Sequence, residues 1–241
     1  MKKVLILLAT CAFAANSSAL MAAEKSSHSV SANVTLATDY VFRGVSQTNG
    51  DPAIQGGFDY NHAKGFYAGL WASNVEFNEN AALAPTAAVN EATLELDLYA
   101  GYGGSFGKNH SYDLGLLYYA YPGSENSLNY DFFEAYGGVD FSLGSKTTLG
   151  LKLSYSPEFF GETGEATYLE ANVNFAISDN FGIGLHYGSQ KIDVGDDYTD
   201  WKVSLAGSGA GFDLELAYTD TDIDNSTIAD DRVVFSISRS M

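Results

Sequence analysis

Apolar and polar residues alternate along twelve short segments of this chain. Residues 30–36 and 212–218 show the pattern clearly, with an apolar side chain at every second position. Because successive side chains of a β-strand point to opposite faces, each segment predicts a strand with one apolar and one polar face. The predicted strands are residues 29–42, 53–62, 65–75, 91–103, 111–121, 130–141, 147–156, 167–176, 181–190, 198–206, 211–219 and 231–239.

The connections between these predicted strands alternate in length. Those after the even-numbered strands are mostly tight and rich in turn-forming residues, and only residues 103–110 form a somewhat longer one. Short turns on one side and longer loops on the other are typical of outer-membrane barrels, with the turns in the periplasm. The longer, more polar connections are residues 44–52, 76–90, 157–166, 191–197 and 220–230.

Aromatic residues occupy the ends of the apolar faces, with aliphatic residues between them. Two such aromatic rings are what the two interfaces of a membrane select, whereas a soluble sandwich would place large aromatics in the middle of its strands. The sequence therefore predicts an all-β protein, an antiparallel transmembrane β-barrel of about twelve strands with short periplasmic turns and longer extracellular loops, in the bacterial outer membrane. One ring comprises Tyr40, Phe42, Tyr118, Tyr155, Tyr187 and Tyr218, and the other comprises Phe58, Tyr60, Phe66, Tyr102, Tyr112, Phe141, Phe175, Phe181 and Phe212.

Residues 1–23 are predicted to be a cleaved signal peptide. Lys2 and Lys3 precede an apolar run at residues 4–15, and small residues follow, so that cleavage fits equally after Ala19 or after Ala23. The apolar run is too short to cross a bilayer as a helix, and no other run approaches the required length. Residues 24–241 are then predicted to form the barrel domain.

The predicted mature chain is strongly acidic and lacks cysteine. Removing Lys2 and Lys3 leaves 10 basic residues against 30 acidic ones, a formal charge of −20, and the one cysteine lies within the signal segment. So acidic a chain repels nucleic acid, and we expect no nucleic-acid partner. An exported chain without cysteine cannot rely on disulfides, so its stability must come from the fold.

The polar faces of the strands would line the barrel interior, where acids outnumber bases. The excess carboxylates need water, a proton or a cation, because a bare buried charge is too costly. This favours a water-filled lumen over one plugged by its own network of carboxylates and bases. Trp71 is a candidate constriction. The candidates for lining and ion selectivity are Asp39, Arg43, Glu95, Asp97, Asp113, Glu134, Lys152, Glu170, Lys202, Asp213 and Glu215.

Asp39 and Arg43 lie four residues apart on the polar face at the outer end of the first predicted strand. As a functional pair they would form part of a filter at the mouth of the barrel. As a structural pair they would form an ion pair at the rim and fix the loop that follows. The sequence leaves both interpretations open.

No catalytic arrangement is visible in the sequence. His28, His62 and His110 fall at the periplasmic level, and His186 lies in the middle of a strand, where we expect it to be solvated in the lumen. None of them has the position of a rim Ser–His pair, so we expect no enzyme.

The last long loop half-matches a calcium-binding loop. Asp220, Asp222, Asp224 and Asp231 follow part of the required spacing, but the turn glycine and the final glutamate are missing. An acidic, solvated loop is the alternative interpretation. Apart from this possible Ca²⁺, we expect no cofactor.

Residues 38–48, Thr-Asp-Tyr-Val-Phe-Arg-Gly-Val-Ser-Gln-Thr, resemble the TorF-like family of proteobacterial outer-membrane porins. Residues 95–102, 118–123 and 198–201 match as well, so the resemblance spans nearly the whole mature chain. It implies an outer-membrane barrel of porin type, with no defined substrate. The chain departs from the usual ending of such proteins at Met241, where a phenylalanine is expected.

Two functions of different classes follow from these observations. The first is a porin-like channel for passive diffusion of small solutes, which prefers cations because its lumen is acidic. The alternative is a non-conducting structural or adhesive barrel whose acidic loops bind divalent cations. The expected partners are outer-membrane lipid and lipopolysaccharide, the barrel assembly machinery and a small-molecule solute.

Overall fold

Twelve strands close into a single antiparallel barrel in the computed structural model, which describes residues 27–77 and 91–241. Each strand pairs with its neighbour along the chain, and the last pairs with the first, so the predicted fold class is confirmed. The barrel strands are β1 (His28–Ala37), β4 (Ala53–His62), β5 (Phe66–Asn74), β6 (Leu94–Phe106), β7 (His110–Ala120), β8 (Phe132–Leu143), β9 (Thr147–Ser156), β10 (Ala166–Ala176), β11 (Phe181–Ile192), β12 (Tyr198–Gly209), β13 (Phe212–Thr221) and β14 (Arg232–Ser240).

Little other regular structure accompanies the barrel in the two described ranges. Strands β2 (Val41–Phe42) and β3 (Val45–Ser46) form a separate small hairpin, and Asn126–Leu128 and Phe160–Glu162 form short 3₁₀ turns. Within residues 27–77 and 91–241, no helix has the length and apolar character needed to cross a membrane. The predicted signal peptide, residues 1–23, lies outside the described residues.

The register places apolar side chains outside the barrel and polar or aromatic ones inside. Leu98 pairs with Leu70 on one side and Tyr118 on the other, and all three side chains are exposed. Asp97, one residue earlier, pairs with Trp71 and Tyr119, and none of these three is exposed. Because a shift of one residue would exchange the faces, the alternation in the sequence fixes the register around the barrel.

The two ends of the barrel differ as the sequence predicts. At one end, here called the turn end, the strands are joined by residues 63–65, 107–109, 144–146, 177–180 and 210–211. At the other end, the loop end, the connections are longer, and residues 78–90 of one of them lie outside the described residues. The prediction of a longer turn at 103–110 is wrong, because β6 continues to Phe106 and pairs there with His110.

The first strand is shorter than predicted, and this changes the interior. β1 ends at Ala37, where Thr38 exchanges hydrogen bonds with Phe235: its N–H donates to the Phe235 carbonyl and its hydroxyl accepts from the Phe235 N–H, both at 2.9 Å. Residues 38–52, here called the lumen loop, then turn into the barrel. The placement of Tyr40 and Phe42 in the outer aromatic ring is therefore wrong, since Tyr40 is buried inside and Phe42 packs beside it.

The other side chains of the two predicted aromatic belts lie on the outer surface. Tyr118, Tyr155, Tyr187 and Tyr218 are exposed near the loop end, and Phe58, Phe66, Phe175, Phe181 and Phe212 are exposed near the turn end. Leucine, isoleucine and valine side chains occupy the exposed band between them. Such a surface is suited to a lipid environment.

The chain end closes the barrel. The Met241 N–H donates to the Ala32 carbonyl at 2.8 Å, and the Ala32 N–H donates to the Met241 carbonyl at 3.0 Å. Arg239, which breaks the apolar rhythm of the last strand, places its guanidinium 5.3 Å from the centre of the Phe212 ring. The unusual ending is thus integrated into the barrel wall.

Candidate functional site: the barrel interior

The lumen loop carries a two-residue hairpin turn deep into the barrel. Val41–Phe42 pairs with Val45–Ser46, and the turn between them consists of Arg43 and Gly44, with φ of 49° and 82°. Positive φ at both central residues is what the type I′ turn of a tight hairpin requires. Glycine adopts this backbone readily, whereas arginine does so at a cost, so the contacts of Arg43 must offset it.

Arg43 contacts the wall of the barrel through both terminal nitrogens of its guanidinium. Its Nη2 donates to both carboxylate oxygens of Glu134 at 2.7 and 2.8 Å, and its Nη1 donates to Gln190 Oε1 at 2.9 Å. The guanidinium also lies 4.3 Å from the centre of the Tyr168 ring and 4.6 Å from that of Phe42. The side chains of Arg43 and Glu134 are only 6% and 3% exposed, so this is a buried, hydrogen-bonded ion pair.

Asp39 is held in a different part of the interior. It accepts hydrogen bonds from Ser46 Oγ at 2.7 Å and Thr48 Oγ1 at 2.9 Å, and Arg232 Nη1 donates to it at 2.7 Å. Of the two interpretations of Asp39 and Arg43, the ion pair between them is therefore wrong. Because the loop folds inward, each of the two charges meets a partner on the wall instead.

Tyr40 joins the lumen loop to a third region of the wall. Its hydroxyl donates to Glu95 Oε1 at 2.9 Å, and its ring lies edge-on to Trp71 at 5.3 Å. Trp71 points inward, where it packs against the loop. Glu95 and its neighbour Asp97 are buried, and Asp97 Oδ1 has no hydrogen-bond partner among the described residues. Of the three expected ways to compensate the excess carboxylates, contact with water therefore does not apply to these two, which leaves a proton or a cation.

An aromatic cluster completes the filling of the loop end. Phe42 lies edge-on to Tyr119 at 5.7 Å, and Tyr119 stacks on Phe132 at 4.1 Å. Tyr119 and Phe132 point into the barrel from β7 and β8, whose other faces are apolar. The buried cluster around them comprises Tyr40, Ala53, Val75, Ala92, Leu117, Tyr119, Tyr121, Tyr130, Phe132 and Tyr136.

The half of the interior nearer the turn end is polar and more open. Lys202 Nζ donates to Glu215 at 2.9 Å, and Lys152 lies 3.6 Å from Glu170, with 30% of the Lys152 side chain exposed. The other predicted lining residues of this half remain partly accessible. Asp113 accepts a hydrogen bond from Tyr67 at 2.7 Å, and Asp213 is exposed at the turn end.

The His186 side chain is only 7% exposed and is hydrogen-bonded to the barrel wall, so the expectation that it is solvated in the lumen is wrong. Its Nε2 lies 2.8 Å from Asp200 Oδ2, and its Nδ1 lies 2.8 Å from Asn172 Oδ1. Tyr168, which stacks against Arg43, donates to the same Asp200 at 2.8 Å. A continuous set of contacts thus runs from the lumen loop to the middle of the barrel.

The four aspartates of the half-matched calcium loop do not come together. Asp222 accepts hydrogen bonds from the Thr199 N–H at 2.6 Å and the Thr199 hydroxyl at 2.9 Å, which lower the pKa of Asp222. Asp231 accepts a hydrogen bond from Tyr218, Asp220 bonds the next backbone N–H, and Asp224 is exposed. Within the described residues, no group of three or more potential ligands could hold a metal ion.

Sequence reasoning missed several wall residues that hold the loop. Gln190 is fully buried, and Tyr168 and Asp200 are nearly so. Each lies on the polar face of its strand, so the alternation placed them inside but gave no reason to single them out. Asp200 also lies within the family motif at 198–201, which was the available signal.

Together, a closed twelve-stranded barrel, an apolar outer surface and a charged interior define a barrel of porin type. The chain belongs to a bacterial protein family of unknown function, Gcw_chp, whose family model matches residues 21–241. No curated protein matches the chain.

Solved outer-membrane barrels share the fold. The KdgM porin superposes with a TM-score of 0.57 at 9% identity, covering 87% of this chain and 97% of its own. The NanC porin superposes with a TM-score of 0.55 at 9% identity, and the alignment covers 87% of this chain and 98% of the NanC chain. The COG4313 outer-membrane channel from Pseudomonas putida F1 superposes with a TM-score of 0.55 at 11% identity, and the alignment covers 92% of this chain and 100% of the channel. At these identities the likeness shows the fold alone.

Proposed function

We propose that the protein is an outer-membrane, porin-like channel for passive diffusion of small solutes, with a preference for cations. The observation that carries the proposal is the inversion of polarity: the barrel has an apolar exterior and a charged interior. A soluble barrel would bury its apolar face, whereas a barrel in lipid exposes it. The resemblance to TorF-like porins supports the same function.

The two aromatic rings and the unequal ends set the orientation we propose. The turn end faces the periplasm and the loop end faces the outside, where the acidic loops meet lipopolysaccharide. Export by the predicted signal peptide and insertion by the barrel assembly machinery complete this scheme. No cofactor is required for passive diffusion.

The cation preference rests on the charges in the more open half of the interior. Asp59, Asp113, Asp140, Glu170 and Glu215 stand there against Lys152 and Lys202. A narrow passage lined by one sign of charge attracts ions of the opposite sign. One solved structure of the KdgM porin contains oligogalacturonate, a polyanion. We expect such polyanions to be excluded here.

Single-channel recording in planar bilayers tests the proposal. The protein would be refolded beside a variant in which an Asn-Gly turn replaces residues 38–52, which is feasible because Ala37 and Ala53 are already paired neighbours. Heat-modifiable migration on a gel would show that both barrels fold. We expect discrete conductance steps and, in a salt gradient, a reversal potential of cation sign. Silence from both folded proteins would refute the channel, and anion selectivity would refute the electrostatic argument.

The alternative function is a non-conducting structural or adhesive barrel, with Ca²⁺ or another divalent cation held between its acidic loops and lipopolysaccharide. The filled loop end favours it, because Arg43 and the aromatic cluster occupy the interior there. Silent bilayers for both proteins, together with calcium-dependent binding to lipopolysaccharide, would support this alternative over the channel.

A further inference from the structure

We infer that the lumen loop, residues 38–52, is the gate of this channel and that the contact between Arg43 and Glu134 holds it closed. The inference rests on the proposed channel function and adds its regulation. In the structure the loop lies across the interior near the loop end, and passage there requires it to leave.

The contacts of the loop reach opposite walls of the barrel. Arg43 bonds Glu134 on β8, whereas Asp39 bonds Arg232 on β14, and these two strands lie on opposite sides of the ring of twelve. Tyr40 bonds Glu95 on β6, whereas Gly44 packs on Asp200 of β12, again across the ring. A segment anchored along two diameters obstructs the bore at that level.

The loop can leave without opening the barrel. Its hairpin strands β2 and β3 pair only with each other and contribute nothing to the barrel ladder of the described residues. Both ends of the loop emerge from paired positions, Ala37 and Ala53. Within residues 27–77 and 91–241, its backbone–backbone bonds to the rest of the protein are Thr38 N–H to Phe235 O at 2.9 Å, Ser46 N–H to Ile228 O at 2.8 Å and Glu76 N–H to Gln47 O at 2.7 Å. Movement therefore costs side-chain contacts and few backbone bonds.

The Arg43–Glu134 pair is the contact on which closure depends most. Removing one member of a buried ion pair leaves an uncompensated buried charge, which is strongly unfavourable. A loop outside the barrel relieves that penalty, because Arg43 then meets water. The wall that remains carries Glu95, Asp97 and Glu134, so the opened passage is acidic and suits the proposed cation preference.

Thiol labelling measures the position of the loop independently of conductance. Residues 24–241 contain no cysteine, so Ser46→Cys introduces a single thiol at a position that is 4% exposed. In this background we compare Glu134→Gln with Glu215→Gln, which breaks another lumen ion pair away from the loop. We expect a methanethiosulfonate reagent to label the Glu134→Gln variant about tenfold faster or more, because the buried guanidinium loses its counter-charge.

The control and rescue variants separate gating from general loosening. Glu215→Gln should leave the labelling rate unchanged, and the double variant Arg43→Gln with Glu134→Gln should bring it back toward the starting rate, since two neutral amides can hydrogen-bond. In bilayers, Glu134→Gln should spend more time open than the wild type.

Three results decide whether the lumen loop is a gate and whether the barrel is a channel. Faster labelling together with longer openings supports the gate. Unchanged labelling in Glu134→Gln, or equal acceleration by Glu215→Gln, overturns the gate while leaving the channel intact. Silence of the folded variant with the Asn-Gly turn overturns the channel itself, and with it the function of the gate.

Discussion

Replacing Gly44 with alanine should release the lumen loop much more than replacing Gly50 with alanine. Both glycines belong to the loop and have nearly the same backbone, with φ of 82° and 84°. They differ in surroundings. A methyl group on Gly44 would lie 2.7 Å from Asp200 Cβ and still closer to Thr221 Cγ2, whereas one on Gly50 would have no atom within 4 Å.

The size of the effect follows from the cost of the left-handed backbone and from the packing around the added methyl group. A left-handed backbone costs a non-glycine residue about 1–2 kcal/mol, and both variants bear this cost. Carbon atoms prefer separations of about 3.5–4.0 Å. Forcing a methyl into the packed position at Gly44 should therefore cost about 1–3 kcal/mol more. At about 1.4 kcal/mol per factor of ten, Gly44→Ala should populate the released loop about 5-fold to 150-fold more than Gly50→Ala.

Limited trypsin digestion reads this population directly. The bond after Arg43 is a trypsin site whose side chain is only 6% exposed in the folded protein. Cleavage there requires the loop to leave the barrel, whereas cleavage after Lys108, which is exposed in the turn at residues 107–109, does not and serves as the internal standard. The rate of formation of the fragment beginning at residue 44, followed by mass spectrometry, is the measured quantity.

Equal cleavage rates in the two alanine variants would refute the reasoning. Such a result would mean that backbone conformation alone controls the loop and that Gly44 is not packed against β12 and β13. Rapid cleavage of the wild-type protein at Arg43 would refute the buried position of the hairpin altogether.

Further predictions concern the outer surface, the loop end and the chain end. Leu98→Arg should lower the free energy of unfolding in liposomes by about 2–4 kcal/mol if Leu98 lies near the bilayer midplane, measured by urea titration. The Thr199 amide should titrate in NMR spectra with a midpoint below the ordinary aspartate pKa of about 3.9, because its hydrogen bond favours the charged form of Asp222. The lowered pKa of Asp222 stabilises the fold at pH values above the ordinary aspartate pKa. This stabilisation is lost as the pH falls through the pKa of Asp222 in the folded protein. Asp222→Asn should abolish this titration. Deleting Met241 should cost about 1–3 kcal/mol in the same urea assay, since two backbone bonds to Ala32 are lost, whereas Met241→Phe should keep them.

The barrel itself was predictable because the pattern that determines each strand is local and is repeated along the chain. Alternation of period two sets the face of every residue, and strands such as β4 and β9 begin and end where the pattern predicts, at residues 53–62 and 147–156. The pairing of neighbours along the chain follows from the short turns. These features require no knowledge of what lies across the interior.

The lumen loop was not predictable by the same reasoning. Tyr40 and Phe42 continue the alternation of β1, so they appeared to extend the strand to the outer surface. Alternation shows that a strand has two faces, but it does not show what each face packs against. The aromatic interior that contacts Tyr40 and Phe42 is formed by strands that are distant in sequence. The local signal was the glycine after Arg43, since an Arg-Gly pair between short β-prone segments is compatible with a two-residue hairpin turn.

The depth of the lumen loop also imposes an order on folding. Asp39 and its partner Arg232 are separated by 193 residues, and Arg43 and Gln190 by 147. The loop is synthesised early, but Arg232, one of its partners on the wall, lies on the last strand, which closes the barrel by pairing with the first. Contacts between such distant segments form slowly, because the entropy of closing the chain must be offset before they contribute. We therefore expect the contacts of the hairpin to be completed only after the barrel has closed.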